Sequence, residues 1–237
     1  AFTRGPGLMG SLLVGTSFAK SLSLGLGIPL IEVNHMQAHI LAHFIEEENF
    51  KKPSFPFLAL TISGGHTQIV KVSNYFDMEV IGGPLIDKYA KEGNPKAFPF
   101  PNPKVPDLNF SFSGFKTSVL YFIQKQTKEN PDFIAENLKD ICASIQFSIV
   151  RILMDKLKKA VKQTGINQIA IAGGVSANSG IRNALMDAEK KYGWNCFIPK
   201  FEYTTDNAAM IAIAGHYKYL EKDFSDYSIT AQARYKF

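Results

Sequence analysis

Apolar and polar residues follow one another in blocks that predict an α/β protein. Short apolar runs between glycine, proline or polar turns indicate buried strands, whereas longer stretches with helically spaced apolar residues indicate helices. The predicted strands are 28–33, 57–62, 68–72, 77–81, 168–172 and 195–199. The predicted helices are 8–24, one that begins after Asn34 and ends at 46–49, 110–128, one or two within 132–162, 179–192, and one that opens within 203–209 and runs to about 220.

Three histidines stand out within Val33–His43, which reads V-N-H-M-Q-A-H-I-L-A-H. His35, His39 and His43 recur every four residues, so they would share one face of a helix. Asn34 is a candidate N-cap where the preceding strand ends. His35 and His39 could bind one metal ion, but a stable site needs three or four ligands. The alternatives are a solvated histidine face or a core histidine beside chance neighbours.

Later turns offer further candidate chemistry. Ser63-Gly64-Gly65-His66-Thr67 joins two predicted strands, and its exposed backbone amides could bind phosphate or form an ordinary glycine hairpin. Asn178 follows a strand and a Gly-Gly turn, at the edge of a sheet where α/β proteins bind ligands. Asp206 is either the N-cap of the last helix or a third metal ligand. The glycine-rich stretch 4–11 lacks the Lys-Ser/Thr of a Walker loop and favours a tight turn.

Composition and charge narrow the classes of function. Of the 237 residues, 46% are hydrophobic, yet no apolar run is long enough to span a bilayer, so we expect no membrane association. Cys142 and Cys196 form no motif and fit reduced positions in a cytoplasmic protein. The net charge of +5 is compatible with RNA without establishing it. The lysines of 156–162 favour a solvated face over an RNA patch.

Six ordered stretches together resemble the TsaD (Gcp) family of tRNA N6-adenosine threonylcarbamoyltransferases. They are T-R-G-P-G-L at 3–8, N-H-M-Q-A-H at 34–39, S-G-G-H-T-Q at 63–68, F-S-F-S-G-F-K-T at 110–117, G-G-V-S-A-N at 173–178 and T-D-N-A-A-M at 205–210. The resemblance implies an actin-like (ASKHA) α/β fold of two lobes with a nucleotide cleft. Residues 1–52 would be the remainder of an incomplete N-terminal lobe. Residues 53–237 would be the C-terminal lobe, whose last helix returns toward the first.

The resemblance also implies an activity. The protein would be a metal-dependent acyltransferase that moves threonylcarbamoyl from threonylcarbamoyl-adenylate to the N6 amine of an adenosine in tRNA. That adenosine lies beside the anticodon in tRNAs that read codons starting with A. The expected partners are tRNA and the actin-like and ATPase proteins of a modification complex.

Site residues follow from the same resemblance, position by position. His35, His39 and Asp206 match the metal ligands of the family, with iron or zinc as the ion, and His43 matches none. The matching substrate contacts are Thr61, Ile62, Ser63, Gly64, Gly65, Gly83, Asp87 and Asn178. No catalytic nucleophile is evident, so these residues would act mainly by positioning the reactants.

Two departures from the family pattern accompany the match. The family begins with a strand and an acidic phosphate-loop turn that this chain lacks, so we expect N-terminal residues to be missing. Family members also carry an acidic helical segment between the strand ending near Ile81 and the turn at Gly83-Pro84, whereas the two are fused here. That segment supplies a ligand aspartate, and we expect a break at this junction.

Two other functions are open at the level of sequence. A non-catalytic actin-like scaffold of the same complex would be expected to lack the histidine pair and Asp206, which this chain has. A metalloprotease of the zincin type needs glutamate directly after the first histidine as the base, and that position is Met36.

Overall fold

The computed structural model describes residues 1–46, 48, 51–62, 67–82, 94–101, 108 and 112–235. The strands are β1 Phe2–Gly5, β2 Glu32–Asn34, β3 Phe57–Ile62, β4 Thr67–Val72, β5 Met78–Gly82, β6 Gln168–Ala172 and β7 Asn195–Phe197. The helices are α1 Met9–Leu26, α2 His35–Leu41, α3 Phe112–Glu129, α4 Phe133–Thr164, α5 Ser179–Tyr192 and α6 Ala208–Leu220.

Two sheets organise the described chain. β1 and β2 form a parallel pair, and a larger sheet has the order β5-β4-β3-β6-β7. In the larger sheet, β3, β6 and β7 are parallel, while β4 and β5 extend it as antiparallel strands. Thr61 pairs with Ala172, so β3 and β6 end at the same edge. That edge is where α/β sheets place their ligands.

Alternation along the central strands divides the core into two layers. Leu58 and Leu60 of β3 face α4 and α5, and Phe57 and Ala59 face the opposite side. β6 repeats the pattern, with its large isoleucines on the first side and Ala170 and Ala172 on the second. The small alanines leave room for α2 and α6 to pack closely against the sheet. This packing brings both helices to one end of β6.

Several predicted elements have different bounds in the structure. A strand over Phe2–Gly5 was not expected, because its short polar sequence carries little β pattern. The strand predicted over 28–33 is shorter, since β2 begins at Glu32 and only an isolated bridge forms at Leu30. Gly25 lies inside α1, and Gly27 with φ of 64° ends it. The stretch predicted over 132–162 forms one helix, in which Lys158, Lys159 and Lys162 are exposed as expected, whereas Lys156 is buried, contrary to the expectation.

The last helix packs against α2 and also contacts β1 and β2. The division into lobes at residues 52 and 53 stays a prediction. The expected break at Ile81–Gly83 falls largely outside the described residues, since β5 is described only to Gly82. Within the described residues, none of the helices combines the length and apolar character needed to cross a membrane.

Candidate metal and nucleotide site

Helix α2 presents two of the three histidines to a cavity. Asn34 caps this helix, because its side-chain oxygen accepts hydrogen bonds from the backbone N–H groups of Met36 at 2.9 Å and Gln37 at 3.2 Å. The cap fixes the direction in which the chain leaves β2. His35 and His39 then lie one turn apart, with their ring centroids 4.9 Å from each other.

Asp206 meets this histidine pair from the start of α6. Its Oδ1 lies 3.2 Å from Nε2 of His35 and 3.1 Å from Nε2 of His39. Asp206 is not the N-cap of α6, because Asn207 holds that position and accepts a 2.9 Å hydrogen bond from the N–H of Met210. The carboxylate of Asp206 is therefore available to the histidines, and three-quarters of its side chain is exposed.

The electrostatics of the pair keep His39 neutral near pH 7. The pKa of His39 is lowered to about 4, chiefly by burial and to a smaller extent by the nearby His35, against the opposing attraction of Asp206. A neutral imidazole keeps the lone pair that a metal ligand needs. The three side chains thus combine two nitrogen donors with one carboxylate oxygen.

His43 has a different environment. It lies in a 3₁₀ turn, Ala42–Phe44, which follows the end of α2 at Leu41. Its Nε2 donates a 2.8 Å hydrogen bond to the carbonyl of Ile171 in β6, and its side chain is fully buried. Burial lowers the pKa of His43 to about 4. The expectation that all three histidines share one helical face is therefore wrong, because the helix tightens before the third is reached.

A cavity of about 670 Å³ surrounds the cluster. Its described lining consists of Pro6, Gly7, Leu8, His35, Met36, His39, Gly174, Thr205, Asp206 and Ala233. The lining combines residues from the two ends of the chain with the Gly-Gly turn that follows β6. The sequence did not indicate the C-terminal segment, since Ala233 belongs to no motif. Its carbonyl accepts a 3.3 Å hydrogen bond from the N–H of Gly7, which follows β1.

The donor set fits a metal ion. The ligand atoms of His35, His39 and Asp206 all lie within 4.8 Å of one another. Two imidazoles and one carboxylate, with further positions open to a cavity, suit non-haem iron or catalytic zinc. Among the described residues, Nδ1 of His39 is buried without a hydrogen-bond partner. In metal sites, a hydrogen bond from this second ring nitrogen to an acceptor fixes the orientation of the imidazole.

The expected nucleotide contacts are only partly described. Thr61 is buried at the end of β3, and its hydroxyl lies 3.4 Å from the carbonyl oxygen of Gln68. The backbone of Ile62 pairs with Thr67. Ser63, Gly64, Gly65, Gly83 and Asp87 lie outside the described residues.

Asn178 directly follows the 3₁₀ turn Gly174–Ala177, whose first residue lines the cavity. Its Oδ1 caps α5 by accepting from the N–H of Ile181 at 2.9 Å, and its Nδ2 donates to Oε1 of Gln146 at 2.6 Å. Gln146 was not singled out from sequence, because it lies in the middle of α4 and carries no local motif. Only the tertiary packing of α4 against α5 places it there.

Comparison with solved structures identifies the class of fold. The crystal structure of HypF from T. kodakarensis superposes with a TM-score of 0.55 at 13% sequence identity, covering 93% of this chain and 40% of that one. The mixed α/β architecture and this superposition define an actin-like (ASKHA) protein, as expected from the motifs.

The particular family follows from sequence comparison. Residues 1–213 match the family profile described as TsaD: tRNA N6-adenosine threonylcarbamoyltransferase. A protein of that name from Christiangramia forsetii is 72% identical over 261 residues, covering 100% of this chain and 77% of its own length. A second from Riemerella anatipestifer is 58% identical, covering 99% of this chain and 76% of its own length. The chain belongs to the TsaD family.

The alignment with the C. forsetii protein exceeds the length of this chain. It runs over 261 residues, against 237 here, so the relative carries at least 24 residues without a counterpart. Their location near Ile81–Gly83 stays a prediction.

Proposed function

We propose that this protein transfers threonylcarbamoyl from threonylcarbamoyl-adenylate to the N6 amine of the adenosine beside the anticodon, in tRNAs that read codons starting with A. Membership of the TsaD family over residues 1–213 supports the activity. The observation that carries the assignment of the site is the meeting of His35, His39 and Asp206 at one cavity.

His35, His39 and Asp206 would hold one iron or zinc ion. The ion would supply positive charge that orients and polarises the carbamate. Asp206 would be the exposed ligand and His39 the buried one. Metal dependence is part of this proposal and rests on the donor set and its geometry.

The other residues act by positioning. The turn that follows β3, with Gly64 and Gly65, would bring backbone amides close to the adenylate phosphate, since a side chain there would block the approach. The wall after β6, from Gly174 to Asn178, would bound the nucleoside. In the transfer, the N6 nitrogen forms a bond to the carbamoyl carbon, the bond from that carbon to the phosphate oxygen breaks, and the amine proton leaves with AMP.

The same proposal covers partners and location. The tRNA would bring its anticodon loop to the cavity, and a net charge of +5 favours association with a polyanion at low salt. We place the protein in the cytoplasm, acting with actin-like and ATPase partner proteins of a modification complex.

Incorporation of labelled threonine into unmodified tRNA tests the proposal. The full-length protein with its partner proteins should modify tRNA, and the double variant His35→Ala/His39→Ala should be slowed by more than about 100-fold, since both nitrogen ligands are lost. His216→Ala is the matched control, because His216 is exposed on α6 and is absent from the lining of the cavity. Circular dichroism should show that both variants remain folded.

The results separate the rival functions. If the double variant modifies tRNA as fast as the parent, the proposed role of His35 and His39 as metal ligands is wrong. A parent that never modifies tRNA but stimulates another transferase is a scaffold. Cleavage of a peptide substrate that depends on His35 would instead support a metalloprotease.

A further inference from the structure

We infer that Gln146 is a positioning residue for the wall Gly174–Asn178, which would bound the nucleoside, and that it acts through Asn178. This inference rests on the proposed function, because that function gives Asn178 its place beside the adenylate. Gln146 lies on α4, 32 residues before Asn178, and no sequence motif connects the two. Their side-chain amides meet at 2.6 Å, from Nδ2 of Asn178 to Oε1 of Gln146.

Two hydrogen bonds fix the orientation of the Asn178 amide. Its Oδ1 must face the start of α5, where it accepts from the N–H of Ile181 at 2.9 Å. A carboxamide carries its donor opposite its acceptor, so the cap turns Nδ2 toward α4. Gln146 provides the acceptor at that point. The bond to Gln146 adds a second restraint on the amide to the one that the cap provides.

The residue at position 180 leaves room for this pair. A Cβ atom built on Gly180 would lie 3.1 Å from Oδ1 of Asn178 and 3.1 Å from Nε2 of Gln146. A side chain there would press on both amides at once. The glycine thus has a steric role at a position where its backbone angles are those of an ordinary helix.

The pair belongs to a wall that is restrained at several points. Arg182 on α5 donates from Nε to the carbonyl of Ser176 at 2.7 Å and from its terminal nitrogen to the carbonyl of Pro199 at 3.0 Å. Gly174, at the other end of the same turn, lines the cavity that contains the metal cluster. Gln146 therefore connects α4 to the segment that separates the metal end of the site from the nucleoside end.

Three substitutions separate positioning from packing. Gln146→Met keeps the length of the side chain and removes the acceptor, while Gln146→Glu keeps an acceptor. Asn178→Asp keeps the cap of α5 and removes the donor. Gln163→Met is the matched control, since Gln163 is exposed on the same helix. The probe is AMP, and its affinity for the full-length protein is measured by calorimetry beside the KM for threonylcarbamoyl-adenylate in the transfer assay.

Gln146→Met should weaken AMP binding and raise KM about five- to tenfold, the effect of losing one hydrogen bond, with a smaller change in kcat. Asn178→Asp should weaken AMP binding at least as much, because it removes the donor and also places a carboxylate at a proposed substrate contact. Gln146→Glu should retain most of the affinity. Gln146→Glu/Asn178→Asp should be the weakest, because it places two carboxylates together.

Unchanged AMP affinity and KM in Gln146→Met, with a parent that binds AMP and modifies tRNA, would overturn the inference and leave the proposed function intact. A parent that neither binds AMP nor modifies tRNA would overturn both. Lower thermal stability in Gln146→Met with unchanged AMP affinity would assign Gln146 to packing alone.

Discussion

His39 and His43 lie one helical turn apart, yet they belong to two different regions of the molecule. Both side chains are buried, and burial lowers the pKa of each to about 4. His39 turns its Nε2 toward Asp206 and the cavity, whereas His43 turns its Nε2 toward the carbonyl of Ile171 in the central sheet. Two histidines in a series that recurs every four residues therefore have different roles.

The partner of each imidazole explains the difference. A carboxylate that reaches into a cavity creates a site where charge and a metal ion can be accommodated. A backbone carbonyl in a dry core offers one hydrogen bond and no room for a ligand. His43 therefore holds the 3₁₀ turn that follows α2 to β6, whereas His39, in the last turn of α2, faces Asp206 and the cavity.

Metal affinity should separate the two histidines most strongly. His39→Ala should lower the affinity for Zn²⁺ more than about 100-fold, because losing a ligand exceeds the roughly 10- to 100-fold cost of second-shell changes. His43→Leu should lower it less than about threefold, provided that the protein is folded. Competition against a chromophoric chelator measures both. Equal losses in the two variants would show that His43 also acts on the metal.

Stability should show the opposite order. His43→Leu leaves the buried carbonyl of Ile171 without its donor, so the free energy of unfolding should fall by about 1–3 kcal/mol. His216→Leu, at an exposed position on α6, should change it by less than about 0.5 kcal/mol. Denaturant unfolding of the metal-free proteins at pH 8 gives both values. A His43 variant as stable as the control would mean that the bond contributes nothing.

The sequence predicted the surroundings of His39, at the cavity, better than those of His43, in the core. The spacing of His35 and His39 and the cap at Asn34 are local, so they could be recognised before the fold was known. The three central strands were also predictable, because their apolar runs are bounded by clear turns. Asp206 was left between a cap and a ligand, since only the packing of α6 on α2 decides which.

The features that could not be predicted from the sequence depend on contacts between residues that are far apart in the chain. The turn at Ala42–Phe44 follows α2 without any glycine or proline to mark it, so His43 was expected on the wrong face. Gln146 and Ala233 have no motif, and they reach the site only through the packing of α4 and the return of the C-terminal segment. β1 was missed because its pairing with β2 outweighs a weak local preference.

The pH dependence of unfolding sharpens the comparison further. Below pH 6.5 the unfolded chain binds a proton at residue 43, whereas the folded protein, with a pKa of about 4 at His43, does not. The free energy of unfolding therefore falls as the pH drops from about 6.5 toward 4, by up to about 1.4 kcal/mol per pH unit for this group. Above pH 6.5 the histidine is neutral in both states, and this contribution to the pH dependence is absent.

His43→Leu removes the contribution of His43 to the pH dependence of the free energy of unfolding and leaves that of His39 in place. The difference in stability between the parent and His43→Leu should therefore narrow by about 1 kcal/mol between pH 6.5 and pH 5.5. Denaturant unfolding of the metal-free proteins at pH 7.5, 6.5 and 5.5 measures it, with His216→Leu as the control for an exposed histidine. Parallel curves for the parent and His43→Leu would show that His43 is protonated as readily in the folded protein as in the unfolded chain. The bond to Ile171 would then be too weak to keep the imidazole neutral, and His39 and His43 would differ less than their contacts imply.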